Sequence, residues 1–146
     1  KVKNKSLELD KVYNINFKDK NNFLGLGWTH NQGKKGIWSD GEVSTLLFEI
    51  DQKNKDLKLE ITSNIFNSTK ESIFEFEVYL NGSFYKKIKL LDNKKFEILL
   101  KEQLMDNSDL VIDFKFKDLL SPYELMQSPD ARKIGILIKQ IKATVL

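Results

Sequence analysis

Residues 22–41 concentrate the side chains best suited to recognition. Both tryptophans, Trp28 and Trp38, the single histidine, His30, and five of the seven glycines fall there, beside Asn31, Gln32 and Asp40. A flat indole stacks on the C–H face of a sugar ring, while amide, imidazole and carboxylate groups bond its hydroxyls, so this mixture points to a sugar platform. Gly33 and Gly36 would let the backbone fold back and bring the two rings near one another. The competing reading makes each tryptophan a core plug whose indole N–H is satisfied locally. A platform requires at least one ring to be partly exposed, with Asp40, His30 or Arg132 in reach of the same surface. Arg132 is the only arginine; it either clamps the turn after Pro129 by pairing with Asp130, or bonds a ligand carboxylate or hydroxyl pair.

Other chemistry is poorly supplied. A nucleophilic serine needs a base, and His30, set among amides, is the sole candidate. Cysteine is absent, which removes disulfides, thiolate nucleophiles and cysteine-ligated zinc together. A three-histidine zinc site is impossible with one histidine, and no calcium-loop spacing occurs, although Asp40 with backbone carbonyls has chemistry that calcium accepts. Gly25-x-Gly27 runs into Trp28 rather than into a helix, so a nucleotide loop fails on context. The 21 acids offer no sign of a pair held at glycosidase separation; they are expected on exposed strand faces opposite lysines. No catalytic residue, metal or cofactor is expected in this domain.

Strands must position the recognition stretch, because period-two alternation recurs through the rest of the chain. In 72–80, Phe74, Phe76, Val78 and Leu80 alternate with Glu75, Glu77 and Tyr79. The same pattern predicts strands over 7–17, 44–51, 57–63, 84–91, 95–100, 110–117 and 134–145, about eight in all. Asn81-Gly82 marks a type I′ hairpin, and Asn64 with Asn67-Ser68-Thr69, Asp92-Asn93 and Asp106-Asn107-Ser108 mark further turns. Ser121-Pro122-Tyr123-Glu124 reads as a capping box opening a helical turn over 121–126, cut short by Pro129. The expected fold is all-β: a two-sheet antiparallel sandwich, jelly-roll-like, with at most one or two short helical turns. Its core should include Phe74, Phe76, Val78, Ile112, Phe114, Ile136 and Ile138.

The 146 residues fit one domain, 1–146. A hydrophobic share of 40% and a charged share of 31% match an ordinary globular protein and favour neither a disordered chain nor a membrane protein. Apolar runs such as 134–138 are far below the roughly 20 residues a bilayer requires, so no membrane insertion is expected. The net charge of +3 is spread along strands and carried by lysine, whereas nucleic-acid binders cluster arginine and lysine on one face; no nucleic-acid partner is expected. The chain starts at Lys1 with no cleavable leader visible, and reads as a fragment of a larger protein.

Four pieces in one order carry a resemblance: Gly27-Trp28; Trp38-Ser39-Asp40-Gly41; Val78-Tyr79-Leu80-Asn81-Gly82; and Ser121-Pro122 followed by Asp130-Ala131-Arg132-Lys133-Ile134-Gly135. From Gly25 onward the chain resembles small accessory β-sandwich domains appended to bacterial glycosyltransferases and other capsule, lipopolysaccharide or envelope-glycan proteins. Asn31 and Gln32 depart from that pattern, standing where an acid is expected. The resemblance implies a non-catalytic module that contacts glycan or docks beside a catalytic domain of the same parent, in the cytoplasm or cell envelope of a bacterium. A purely structural or protein-docking sandwich is the alternative.

Overall fold

A computed structural model describes residues 6–16, 23–29, 36–50, 55–66, 73–91, 94–101, 109–119, 121, 123–124, 129 and 133–146. Ten strands account for most of them: β1 (Ser6–Leu7), β2 (Val12–Asn14), β3 (Ile37–Asp40), β4 (Val43–Ile50), β5 (Leu57–Ile65), β6 (Phe74–Leu80), β7 (Ser83–Leu90), β8 (Lys95–Leu100), β9 (Asp109–Lys115) and β10 (Ile134–Val145). The first sheet runs β1-β4-β9-β6-β7; the second runs β2-β10-β5-β8, with β3 also paired to β10. Apart from the short parallel β1–β4 pair, the strand ladders are antiparallel. The molecule is the expected two-sheet, jelly-roll-like sandwich, and no helix occurs among the described residues.

Alternation sets the two faces. On β6, Phe76, Val78 and Leu80 are buried while Glu75 and Tyr79 point outward, the register expected from the sequence. Ile112, Phe114, Ile136 and Ile138 are also buried, and Phe74 is half-buried against them. The sheets meet through aromatic rings: Phe76 lies 5.5 Å from Phe96 of β8, 5.8 Å from Phe114 of β9 and 5.5 Å from Phe116. Asn81 and Gly82 both take positive φ, 48° and 87°, as the hairpin signal requires.

Three expectations are corrected. Asn64, expected in a turn, lies within β5, where it pairs with Leu137 of β10. The strand predicted over 7–17 is broken at Asp10, whose φ is 64°, so β1 joins the first sheet and β2 the second. Strand β3 lies inside the stretch expected to be irregular. Ser121 and Glu124 form the reciprocal capping contacts, with Ser121 Oγ accepting from Glu124 N–H and Glu124 Oε1 accepting from Ser121 N–H, each at 3.1 Å. Pro122 and residues 125–126 of that expected turn lie outside the described residues, as do the turns at 67–69, 92–93 and 106–108.

Candidate functional site

Residues 23–29 stitch one sheet to the other. Gly25 and Leu26 exchange backbone bonds with Thr45 of β4, at 2.7 and 2.9 Å, on the edge that β4 turns away from β9. The segment then reaches β3, where Thr29 N–H donates to the Trp38 carbonyl at 3.0 Å and Asp40 N–H donates to the Gly27 carbonyl at 2.8 Å. Gly27 makes this crossing possible: its φ is +86°, and a Cβ there would lie 1.9 Å from the Val43 carbonyl oxygen. Glycine here serves close backbone approach rather than a mobile loop.

The two tryptophans part company on this frame. Trp28 points into the sandwich, 8% exposed, edge-on to Phe114 at 6.5 Å, and its Nε1–H donates to the Thr45 carbonyl at 2.9 Å. That is the core-plug geometry. Trp38 sits on β3, where Ile37 and Ser39 are buried and Trp38 and Asp40 face outward, half-buried. Its ring stands edge-on to Phe66 at 6.3 Å. The chain therefore sends one indole into the core and leaves the other on the outer face of the second sheet.

Ser39 fixes that presentation from below. Its buried Oγ accepts from both Gly135 N–H and Ile136 N–H at 3.0 Å, at the irregularity in the β3–β10 register between Ile134 and Leu137. Past it, Trp38 faces Leu137 of β10, and Leu137 faces Asn64 of β5, so the three share one row across the sheet. With the Asn64 amide assigned in the orientation its neighbours require, its oxygen accepts from the Lys139 ammonium at 3.1 Å and its nitrogen donates to the Ser63 carbonyl at 3.1 Å. An aromatic pair and an amide are thus grouped along the Trp38 row, with Lys139 against the amide and the half-exposed Asp40 two residues along β3.

Asp40 pairs across the ladder with Ile134, and next to it Gly41 N–H donates to the Lys133 carbonyl at 2.9 Å. Lys133 Nζ bonds Glu124 Oε1, tying the Ser121 turn to the start of β10. The Lys133 ammonium, helped by the Ser121 N–H and hydroxyl, holds the Glu124 carboxyl below its ordinary pKa. His30 and Arg132 lie outside the described residues, as do Asn31, Gln32 and Asp130; their chain neighbours Thr29 and Lys133 both border β3.

Acid–base chemistry finds little to use. Glu60 and Glu97 face each other across β5 and β8, but Lys58 Nζ lies 3.9 and 3.6 Å from their carboxylates. Glu75 is likewise flanked by Lys87 and Lys89. Among the described residues no three histidine, aspartate or glutamate side chains converge, and no helix is long and apolar enough to cross a membrane. Sequence reasoning missed Leu137, which pairs with Trp38, Asn64, which follows Leu137 in the same row, Phe66, whose ring meets the indole, and Lys139, which meets the Asn64 amide.

No protein-family model matches the chain, and no curated protein matches it in sequence. Solved structures resemble it in shape. An acetyl xylan esterase, Est2A, from the rumen bacterium Butyrivibrio proteoclasticus superposes with a TM-score of 0.54 at 12% identity, over 93% of this chain and 32% of that one. BtGH115A, a family GH115 4-O-methyl-α-glucuronidase with specificity for decorated arabinogalactans, gives 0.50 at 12% identity, over 94% of this chain and 16% of its own. The carbohydrate-binding module CBM36, in complex with calcium and xylotriose, gives 0.48 at 10% identity, over 83% of this chain and 92% of that module. The chain spans only about a third of the esterase and about a sixth of the glucuronidase. At such low identity, what the chain shares with the esterase and the glucuronidase is the fold of a β-sandwich.

Proposed function

We propose that this chain is a non-catalytic, carbohydrate-associated module of a larger protein, and that it meets glycan on the outer face around Trp38. The observation that carries the reading is the placement of Trp38: half-exposed and braced by Phe66, with Leu137 and the Asn64 amide following it in one row and the Asp40 carboxylate two residues along β3. The indole supplies the stacking plane, and Asp40, Asn64 and Lys139 supply acceptors and donors for hydroxyls. Trp28 serves by holding the Gly27–Thr29 crossing against β3. His30 and Arg132 belong to the proposed contact set through their neighbours Thr29 and Lys133.

Two larger chains that contain this fold, an acetyl xylan esterase and a glucuronidase, support a carbohydrate context by their own activities. A glycosyltransferase or envelope-glycan parent, with its catalytic domain as partner, is the finer form of the proposal and rests on the sequence resemblance. The test is a titration of the chain with xylo-oligosaccharides, arabinogalactan fragments and bacterial envelope-glycan fragments, followed by amide and indole N–H shifts. A few net hydrogen bonds of about 0.5–1.5 kcal/mol each on an open face give high-micromolar to millimolar affinity. Shifts should centre on Trp38, Asn64 and Asp40 and vanish in a folded Trp38→Ala variant. If no glycan moves these residues and an adjoining domain of the parent does, the chain is a docking sandwich instead.

A further inference from the structure

We infer that the outer face of the first sheet is a second contact site, for a neutral oligosaccharide laid across the strands. Phe84 of β7, Tyr79 of β6, Asp113 of β9 and Thr45 of β4 are direct neighbours in register, and all four lie on the solvent side of the sheet. Three inter-strand steps make the row about 14 Å long, the reach of a short oligosaccharide. Phe84 is 56% exposed and stands edge-on to Tyr79, with ring centroids 5.5 Å apart. An exposed phenylalanine on a strand otherwise studded with lysines has no role in the core.

The polar members of the row are fixed before any ligand arrives. Thr45 Oγ1 donates to Asp113 Oδ1 at 2.7 Å, Tyr79 OH donates to Glu77 Oε1 at 3.2 Å, and the Lys115 ammonium sits 4.1 Å from the centre of the Tyr79 ring. Each carboxylate keeps a second oxygen able to accept from sugar hydroxyls, and fixed partners reduce the ordering that binding must otherwise supply.

Charge and composition select the ligand class. The adjoining row is Lys87, Glu77, Lys115 and Val43, so across both rows two lysines face two acids, Glu77 and Asp113. That balance favours a neutral ligand over a polyanion. A protein interface of stable size wants a core of packed apolar residues depleted of charge, whereas here charged groups alternate with a single large exposed ring. An aromatic plane amid fixed acceptors and donors is the complement of a polyol.

The site is independent of the Trp38 face, since the two lie on opposite outer surfaces of the sandwich. The test is a ¹H–¹⁵N titration of the 146-residue chain with neutral xylo-, cello-, manno- and malto-hexasaccharides, run on the parent sequence, Phe84→Ala and Trp38→Ala. The expected result is a contiguous set of shifts at Thr45, Tyr79, Phe84 and Asp113 with one or more hexasaccharides. Binding there should weaken at least about tenfold in Phe84→Ala and stay unchanged in Trp38→Ala. Shifts confined to the Trp38 face would overturn the second site and leave the first standing. Shifts on the first sheet that persist in Phe84→Ala, that appear on raising protein concentration alone, or that no hexasaccharide produces would each overturn it; the concentration effect would mark the face as a contact between copies.

Discussion

Two tryptophans ten residues apart in sequence have opposite duties. Trp28 fills the interior, and truncating it should cost about 3–5 kcal/mol, as for other large buried aromatics. Most of that loss is packing, because the Thr45 carbonyl it bonds also accepts from Gly25 N–H. Trp38→Ala removes a half-exposed ring and should lower stability by about 1–2 kcal/mol, less than full burial of such a side chain is worth. Urea denaturation of the two variants reads the difference directly, and equal losses would contradict the placement of Trp38. Glu124 gives a prediction in pH. Its folded pKa lies below the ordinary carboxylate value of about 4.3, so the ionised carboxylate stabilises the fold above that pH and the stabilisation fades as pH falls through the lower, folded value. Glu124→Gln should therefore be less stable than the parent at neutral pH and match it in strong acid, as thermal melts across that range would record.

At the scale of elements, glycine positions separate backbone need from mere loop composition. Gly27 and Gly41 both have positive φ, 86° and 94°, yet a Cβ on Gly27 would collide with the Val43 carbonyl while one on Gly41 meets nothing within 4 Å. Gly41→Ala should therefore cost about 1–2 kcal/mol, the penalty of a left-handed conformation alone. Gly27→Ala must also push the crossing off β4, and its unfolding midpoint should fall well below that of Gly41→Ala; the two melting curves check this. Long alternating strands were legible in the sequence because period two is repeated over seven or more residues, as in β6 and β9. Strand β3 was not, because Ile37-Trp38-Ser39-Asp40 offers only two alternations amid glycines. The division of 7–17 was nearly invisible, since Leu7, Leu9, Tyr13 and Ile15 hold one period-two series across both strands and only Lys11 interrupts it. The candidate site was half legible. Trp38 and Asp40 are two residues apart and must share a face of any strand, but Asn64 and Leu137 join them only through a β10 register that is shifted beside Ser39, and no local pattern encodes such a shift.

For the whole molecule, the two sheets present their outer faces in opposite directions and depend on one shared interior. Phe76 is the point where that dependence can be tested. It is 2% exposed, and its ring contacts Phe74, Phe96, Phe114 and Phe116, which join the first sheet to the second through β8. Phe76→Ala would leave a cavity between the sheets rather than within one of them, at a cost of about 3–5 kcal/mol, a large part of the stability of a domain this size. Because both outer faces belong to sheets whose inner sides meet at this ring, the Trp38 and Phe84 regions should lose protection together, in one cooperative transition displaced to lower denaturant with an unchanged slope. Hydrogen exchange at Asn64 on one sheet and at Asp113 on the other is the measurement. Equal loss of protection confirms a common core. A loss confined to Asp113 would mean that the sheets are stabilised separately, and an unmoved midpoint would mean that β6 is paired one residue out of register, with Glu75 and Glu77 facing inward.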